Sequence, residues 1–394
     1  MALTKEKVIE LSGKNNEPEW MLKKRLDAFA VFERMEMPEL RYGLHIFSTY
    51  GNLDLEKLNF SSQHEIEVVN ADKSIIVEDM HTAIKNRPEL IKKYFMTDCI
   101  KSDENKFTAL HATFWSNGLL IYIAKDTEIK EPIHIKLRAK GDVIEHILII
   151  SDSSSTIDII EEISSDKSNN LLFRSGLVEI YAKENSKVQF ASIQNYSNNV
   201  FNFTIKRALV ERDANVNWLD CVFGSNITIS DASSFLKGNG ARSNNWAVFY
   251  GDESQHYDFS MKSVHEAPDT VSDMLTKGVL ADKAKSIYRG SIKIHQNAVR
   301  SNGYQKEDTL LLSDKAEVDS IPKLEIDTND VKCSHGAAIG QIDEDKLFYM
   351  MSRGIPEHLA KKKIVEGFFH PMLKKIAIEE LRNNLMHMID KRMG

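Results

Sequence analysis

A mainly β chain with helical segments at both ends is the fold class that this 394-residue sequence predicts. Three observations carry the prediction. Short runs rich in β-branched residues follow one another from about Leu119, with no long helical pattern between them. A turn made of polar residues, a small residue and then usually an apolar one recurs between those runs. Apolar residues at helical spacing stand on either side of the β-rich region. These features divide the chain into 1–118, helical or mixed; 119–340, a β core; and 341–394, helical.

In the first segment, Leu22, Leu26, Phe29 and Val31 to Met35 keep an approximate helical period behind Glu17-Pro18-Glu19, and Pro38 ends it. Pro88, ahead of Glu89-Leu90-Ile91, suits a helix N-terminus because its missing N–H is unpaired there in any case. The first hundred residues therefore read as largely helical.

The β core opens with Leu119-Leu120-Ile121-Tyr122-Ile123. It continues through Ile133-His134-Ile135, Ile147-Leu148-Ile149-Ile150, Thr156-Ile157-Asp158-Ile159-Ile160 and Val188-Gln189-Phe190. The turn motif stands at Glu184-Asn185-Ser186, Arg212-Asp213-Ala214, Asp282-Lys283-Ala284 and Asp314-Lys315-Ala316, with a weaker copy at Asn239-Gly240-Ala241. Its small residues are 28, 27, 43 and 32 apart, an irregular period. Stacked coils of a β-helix fit this pattern, since no coil buries its apolar face alone. An antiparallel β-sandwich is the competing architecture.

After residue 340 the helical texture returns. Asp343 is placed as an N-cap, Glu344 and Asp345 suit the positive end of the helix dipole, and Gly354 makes a stop. Pro356 opens a second helix with Ala360, Ile364 and Phe368 four residues apart. Beyond Pro371, Ile378, Leu381, Leu385 and Met388 form a third stripe. Lys361-Lys362-Lys363 reads as a solvated face.

Composition narrows the function. Basic residues number 51 against 58 acidic, for a net charge of −7, which gives no nucleic-acid footprint. No apolar run approaches the roughly 20 residues of a membrane span. The start lacks an apolar signal core, so a cytoplasmic location is expected. Three scattered cysteines, Cys99, Cys221 and Cys333, argue for a reducing compartment and against a disulfide framework. A permanent all-cysteine cluster needs about four thiolates, more than one chain supplies. Phosphate-loop, nucleophile-elbow and zinc-protease motifs are all missing. The histidines around Gln255-His256-Tyr257-Asp258 and Val264-His265-Glu266 read as structural, and Cys221 and Cys99 as small buried hydrophobes.

One pair of residues stands out chemically. Cys333 and His335 lie two apart in a strand-like run, so they address the same side of it. A thiolate suits iron and sulfide, and a neutral imidazole ligates iron.

The residues around that pair carry a family resemblance. Pro322-Lys323-Leu324-Glu325-Ile326, the run Val331 to Gly340, Leu347-Phe348-Tyr349 and Ser352-Arg353-Gly354 follow in order. Upstream stand Gln255-His256-x-Asp258, Asn302-Gly303-x-Gln305, Leu310-Leu311-Leu312-Ser313 and Ala316-Glu317-Val318. Together they resemble the SufB/SufD family of iron–sulfur cluster assembly scaffolds, and within it the SufD branch. The Glu17 to Met21 segment looks more like SufB-type members, so an undifferentiated member is the second reading.

The resemblance implies a right-handed parallel β-helix between two helical domains, and a non-catalytic scaffold role. It implies pairing with a SufB-type scaffold or with itself, and docking of a SufC-type ATPase by the C-terminal domain, with Arg353, Gly354, Ile364, Phe368 and Phe369 as candidates. It implies no permanently bound cofactor but a transient iron–sulfur cluster at a subunit interface, with His335 as an iron ligand and Cys333 as a weaker candidate. A flavin in the complex is left open. Where SufB-type members carry a sulfur-accepting cysteine and an interface cysteine, this chain has Ser234 and Glu307. A purely structural adaptor is the alternative within the family. A β-helix polysaccharide lyase or hydrolase is the alternative outside it, but it requires clustered carboxylates and an export signal.

Overall fold

The computed structural model describes residues 3–60, 65–166, 170–376 and 378–393. Helices α1 (Lys5–Lys14) and α2 (Glu19–Arg34) open the chain. Strands β1 (Glu65–Val69) and β2 (Ile76–Asp79) follow, then α3 (Met80–Asn86), α4 (Pro88–Tyr94) and α5 (Lys106–Phe114). The long β region runs through β3 (Asn117–Ile123), β4 (Ile133–Ala139), β5 (Val143–Ser151), β6 (Thr156–Ser165), β7 (Leu172–Ala182) and β8 (Lys187–Asn195). It continues as β9 (Val200–Val210), β10 (Asn215–Phe223), β11 (Ile227–Leu236), β12 (Arg242–Gly251) and β13 (His256–His265). It ends with β14 (Val271–Leu280), β15 (Lys285–Ile294), β16 (Asn302–Leu311), β17 (Glu317–Ile326) and β18 (Lys332–Gln341). Three helices complete the molecule: α6 (Glu344–Ser352), α7 (Glu357–Leu373) and α8 (Glu379–Arg392).

Successive strands of the β region alternate between two sheets. One sheet has the order β1-β4-β6-β8-β10-β12-β14-β16-β18, the other β17-β15-β13-β11-β9-β7-β5-β3-β2. From β3 onward, hydrogen-bonded neighbours are parallel and two strands apart in sequence; β10, for example, lies between β8 and β12. The result is a β-solenoid of about eight coils, the mainly β fold expected, with strand in 43% of the chain. Parallel pairing excludes the antiparallel sandwich.

The corners explain the irregular turn period. At one corner, Ser154, Asn185, Asp213, Gly240, Asp269 and Arg300 all take positive φ, between 56° and 71°. Each donates its amide to the carbonyl of the residue preceding its counterpart one coil on, at 2.6–3.1 Å. The next residue in each case (Ser155, Ser186, Ala214, Ala241, Thr270, Ser301) is small and buried, because the corner leaves no room for more. These residues recur every 27 to 31 positions. Ala284 and Ala316 belong to the opposite corner. The gap of 43 was thus a change of column, and the copies at Asp269-Thr270 and Arg300-Ser301 were missed because neither shows the polar-polar-small pattern.

The first coils are closed. β1 and β2 pair antiparallel with β4 and β3 and cover the edges of both sheets. The expectation of a largely helical first hundred residues therefore gives way to helices plus two capping strands. Free strand edges at the start of the solenoid supply the partners that a lone short strand lacks. α2 and α5 pack against the outer face of the β3–β17 sheet, sharing one core with Ile144, Leu148, Leu177 and Phe201. Arg25 is wholly buried there. It forks onto Glu17 at 2.7–2.8 Å, donates to the Thr113 carbonyl and lies 4.3 Å from the Trp115 ring. Burial alone would raise the Glu17 carboxyl, but the His81 ring 3.4 Å away and the hydrogen bonds from Arg25 hold it at about 2. α7 and α8 cover the other sheet, placing Val365, Phe369, Leu381, Leu385 and Ile389 against Leu219, Cys221, Phe223 and Val248.

Candidate functional site

β17 and β18 form the last coil, and each is the final strand of its sheet. Among the described residues, no strand neighbours their outward backbone edges. The side chains that would face the interior are also uncovered: Ile326 is 41% exposed and Ile339 48%. Cys333 and His335 lie on this coil.

Register fixes where they point. Cys333 pairs with Gly303 and His335 with Gln305, and Gly303 and Gln305 are buried inward positions of β16. The two residues therefore share the inward side of β18, at the mouth of the solenoid. Gly303 makes room for the thiol: a Cβ there would stand 3.3 Å from the Cys333 sulfur. Cys333 is half-buried beside Ala298, Ile292 and Leu324, and that burial pushes its thiol up, so it rests protonated. His335 is exposed.

One coil below, Glu307 pairs with Ala337 and is buried. Burial raises its carboxyl above the usual range, against the hydrogen bond from Thr309 that lowers it. One of its oxygens, together with the Gln305 carbonyl oxygen, is without a hydrogen-bond partner. Ser234 sits far from this mouth, in β11, three strands from the free edge of its sheet. It accepts from Trp218 at 3.1 Å and from Ser243 at 2.7 Å, as a member of a buried hydroxyl–amide cluster. Cys99 and Cys221 are buried, and burial pushes both thiols well up.

Among the described residues no three His, Cys, Asp or Glu side chains converge as a metal site. The mouth offers one imidazole and one half-buried thiol.

The C-terminal candidates separate. Arg353 and Gly354 are exposed, Gly354 (φ +85°) ending α6. Ile364 is half-buried, as is Phe368, whose ring lies 4.1 Å from the Lys277 ammonium. Phe369 is wholly buried and belongs to the core beneath α7. The free apolar surface lies one helix earlier: Phe348 is 73% exposed and Tyr349 59%, joined by Met351 and Leu359. The signal was in the sequence, because Leu347-Phe348-Tyr349-Met350-Met351 carries more apolar residues than one face of a nine-residue helix can bury. Lys361, Lys362 and Lys363 pair with Glu357, Asp390 and Glu366 at 2.6–3.1 Å; Lys363 is exposed, whereas Lys361 and Lys362 are half-buried, Lys362 bridging to α8.

The fold is thus a β-solenoid with one closed and one open end, and a thiol and an imidazole share the inward side of its last coil. Comparison with known proteins gives the family. The model described as "SUF system FeS cluster assembly, SufBD core domain" matches residues 135–368, and the SufBD N-terminal region model matches 58–135. The chain is 30% identical to the iron-sulfur cluster assembly SufBD family protein SSP1857 of Staphylococcus saprophyticus, across 96% of this chain and 90% of that one. The protein SAR0880 of the same family, from Staphylococcus aureus, matches with the same identity and coverage. The chain belongs to the SufBD family, whose role is iron–sulfur cluster assembly. No helix among the described residues is long and apolar enough to cross a membrane.

Proposed function

We propose that this chain is a SufD-type, non-catalytic scaffold subunit of a cytoplasmic SUF assembly complex. Its open end pairs with a SufB-type scaffold or a second copy, and a transient cluster forms at that seam with His335 as an iron ligand. The observation that carries this reading is the coincidence of three features on one coil: two free sheet edges, an uncovered interior, and an exposed imidazole on the inward side at the mouth. Free edges run antiparallel against their own copy pair the outward N–H and C=O groups of β17 and β18, except at Pro322, which has no N–H to give. With thiols missing at Ser234 and Glu307, the partner supplies most of the thiolates and His335 completes the shell.

The ATPase partner docks on α6 and the α6–α7 turn, where Phe348, Tyr349 and Arg353 form an apolar surface with a cation at its rim. Removing residues 343–394 is a poor test of that contact, because α7 and α8 cover Leu219, Phe223 and Val248. Phe348→Ser with Tyr349→Ser leaves that core intact and should abolish co-purification of the ATPase.

The decisive measurement is iron and sulfide content of the anaerobically purified complex. His335→Ala should suppress cluster yield while partner binding persists. Unchanged yield in an assembled complex reduces the chain to an adaptor.

A further inference from the structure

Seven carboxylates are buried among the described residues. Six of them face a cation or an imidazole. Arg174 serves Glu145 and Glu161, His146 serves Glu179, and Lys206 serves Asp220. Arg289 serves Asp258, and Lys277 and Lys306 share Asp308. The seventh, Glu307, has no such partner among the described residues. Thr309 donates to one of its oxygens, and the other has no hydrogen-bond partner. Buried carboxylates are either paired or bound to a metal, because burial alone penalises the charge.

Register gathers other bare oxygens around it. On β16, Gln305 lies under His335 and Glu307 under Ala337, all on the inward side. On the facing sheet, Tyr288 lies under Ser320 and Gly290 under Pro322. The Gln305 amide nitrogen donates to the Lys323 carbonyl at 3.2 Å, which turns the amide oxygen the other way, over Gly290. A Cβ on Gly290 would press on that oxygen and stand 2.8 Å from the Tyr288 hydroxyl oxygen, so the glycine leaves the space these groups surround. Gln305 Oε1, Glu307 Oε2, Tyr288 Oη and Ser320 Oγ are all buried without a hydrogen-bond partner. Above them the last coil places only the Ala337 methyl and the exposed His335 imidazole.

We infer that these groups form an oxygen-lined well under the mouth, which takes a divalent first-row cation, ferrous iron in the cell, between Glu307 and Gln305 below and His335 above. The inference rests on the reading that iron is handled at this mouth, and it gives the metal oxygen ligands within this chain. The cation supplies the counter-charge that Glu307 lacks. It leaves the Tyr288 and Ser320 hydroxyls to donate to water on the metal. Carboxylate and amide oxygens joined by an imidazole suit iron or cobalt, whereas magnesium prefers oxygen and water alone. Entry is through the mouth, since β17 and β18 are the last strands of their sheets.

The test uses the full-length chain without oxygen. Cobalt(II) reports the site through its visible d–d bands, and thermal unfolding reports it through ligand-linked stabilisation. Wild type should bind cobalt and unfold at a higher temperature with it, ferrous iron should compete, and magnesium should do neither. Glu307→Gln keeps the shape and removes the charge; it should weaken cobalt binding at least ~10-fold, and His335→Ala similarly. Gly290→Ala keeps every ligand but puts a methyl in the well, and should weaken binding as much. Cobalt held equally well by Glu307→Gln, with an intense near-ultraviolet thiolate band, would place the metal on Cys333 and His335; that overturns the well while the role of His335 at the seam stands. A wild type that binds no cobalt at millimolar concentration makes Glu307 a protonated, hydrated carboxyl and also overturns the well, and the seam is then judged by the iron content of the complex.

Discussion

The two ends of the solenoid are made of the same repeating coil and have opposite fates. At the first coils, β1 and β2 cap both sheet edges and α2 and α5 bury the outer face, so that even charged groups are sealed in. Arg174 is buried with Glu145 and Glu161, Asn202 and Thr204 accept from it, and Ser192 donates to Glu161. His111, His146 and Glu179 form a second buried chain, with links of 3.2 and 2.9 Å. At the last coil, by contrast, no strand among the described residues flanks the outer edges of β17 and β18, and the pair Cys333–His335 stands in the mouth. The coil is a neutral building unit. What is laid on it decides whether an end becomes core or contact surface.

Four measurements bear on that contrast. The largest effect is expected inside the closed half. Arg174→Leu leaves Glu145 and Glu161 facing each other without their cation, at a cost of about 3–5 kcal/mol. Urea unfolding of the variant should show most of the stability lost; a change under 1 kcal/mol would mean the closed end is less tightly sealed than the hydrogen bonds indicate.

A second comparison sits within the C-terminal helices. Phe369→Ala empties a buried site beneath α7 and should cost about 3–5 kcal/mol. Phe348→Ala removes an exposed ring and should stay within about 0.5 kcal/mol. Equal losses in thermal unfolding would place α6 in the core.

Acid offers a third probe. Burial drives His265 down to about 4, while Thr270 and Ser272 hold its ring nitrogens at 2.7 and 2.8 Å. Its folded-state value lies below the unfolded one, so the unfolded chain takes the proton first as pH falls. Stability is whole above pH 6.5 and declines toward pH 4, by about 3 kcal/mol. His111, pushed well below the usual histidine range by burial and by His146, adds to the same slope. Denaturant titrations across this window should steepen toward acid, and His265→Gln should flatten them.

The smallest effects belong to the open mouth. His335→Ala and Cys333→Ser should each change the stability of the isolated chain by less than about 1 kcal/mol, His335→Ala least. A large loss in calorimetry would make His335 a structural residue and remove the basis for its role at the seam.

Much of this was legible in the sequence. Alternating β-branched runs marked the strands from Leu119 onward, Asp343 and Gly354 marked the limits of α6, and the two-residue spacing put Cys333 and His335 on one side of a strand. Those are local facts, set by backbone preference and side-chain period, and a chain segment carries them alone. Two expectations failed for a common reason. The turn copies read as one recurring motif of irregular period but occupy two corners, and Phe369, a docking candidate, fills the space over Leu219 and Phe223. Both depend on which distant strand lies beside which, and coils some 30 residues apart leave no mark of their register in local spacing. The same holds for the site. Sequence determined that a thiol and an imidazole would point the same way; only the stacking of coils decided that they would share the inward side of an uncovered end, because only there does the next coil fail to come.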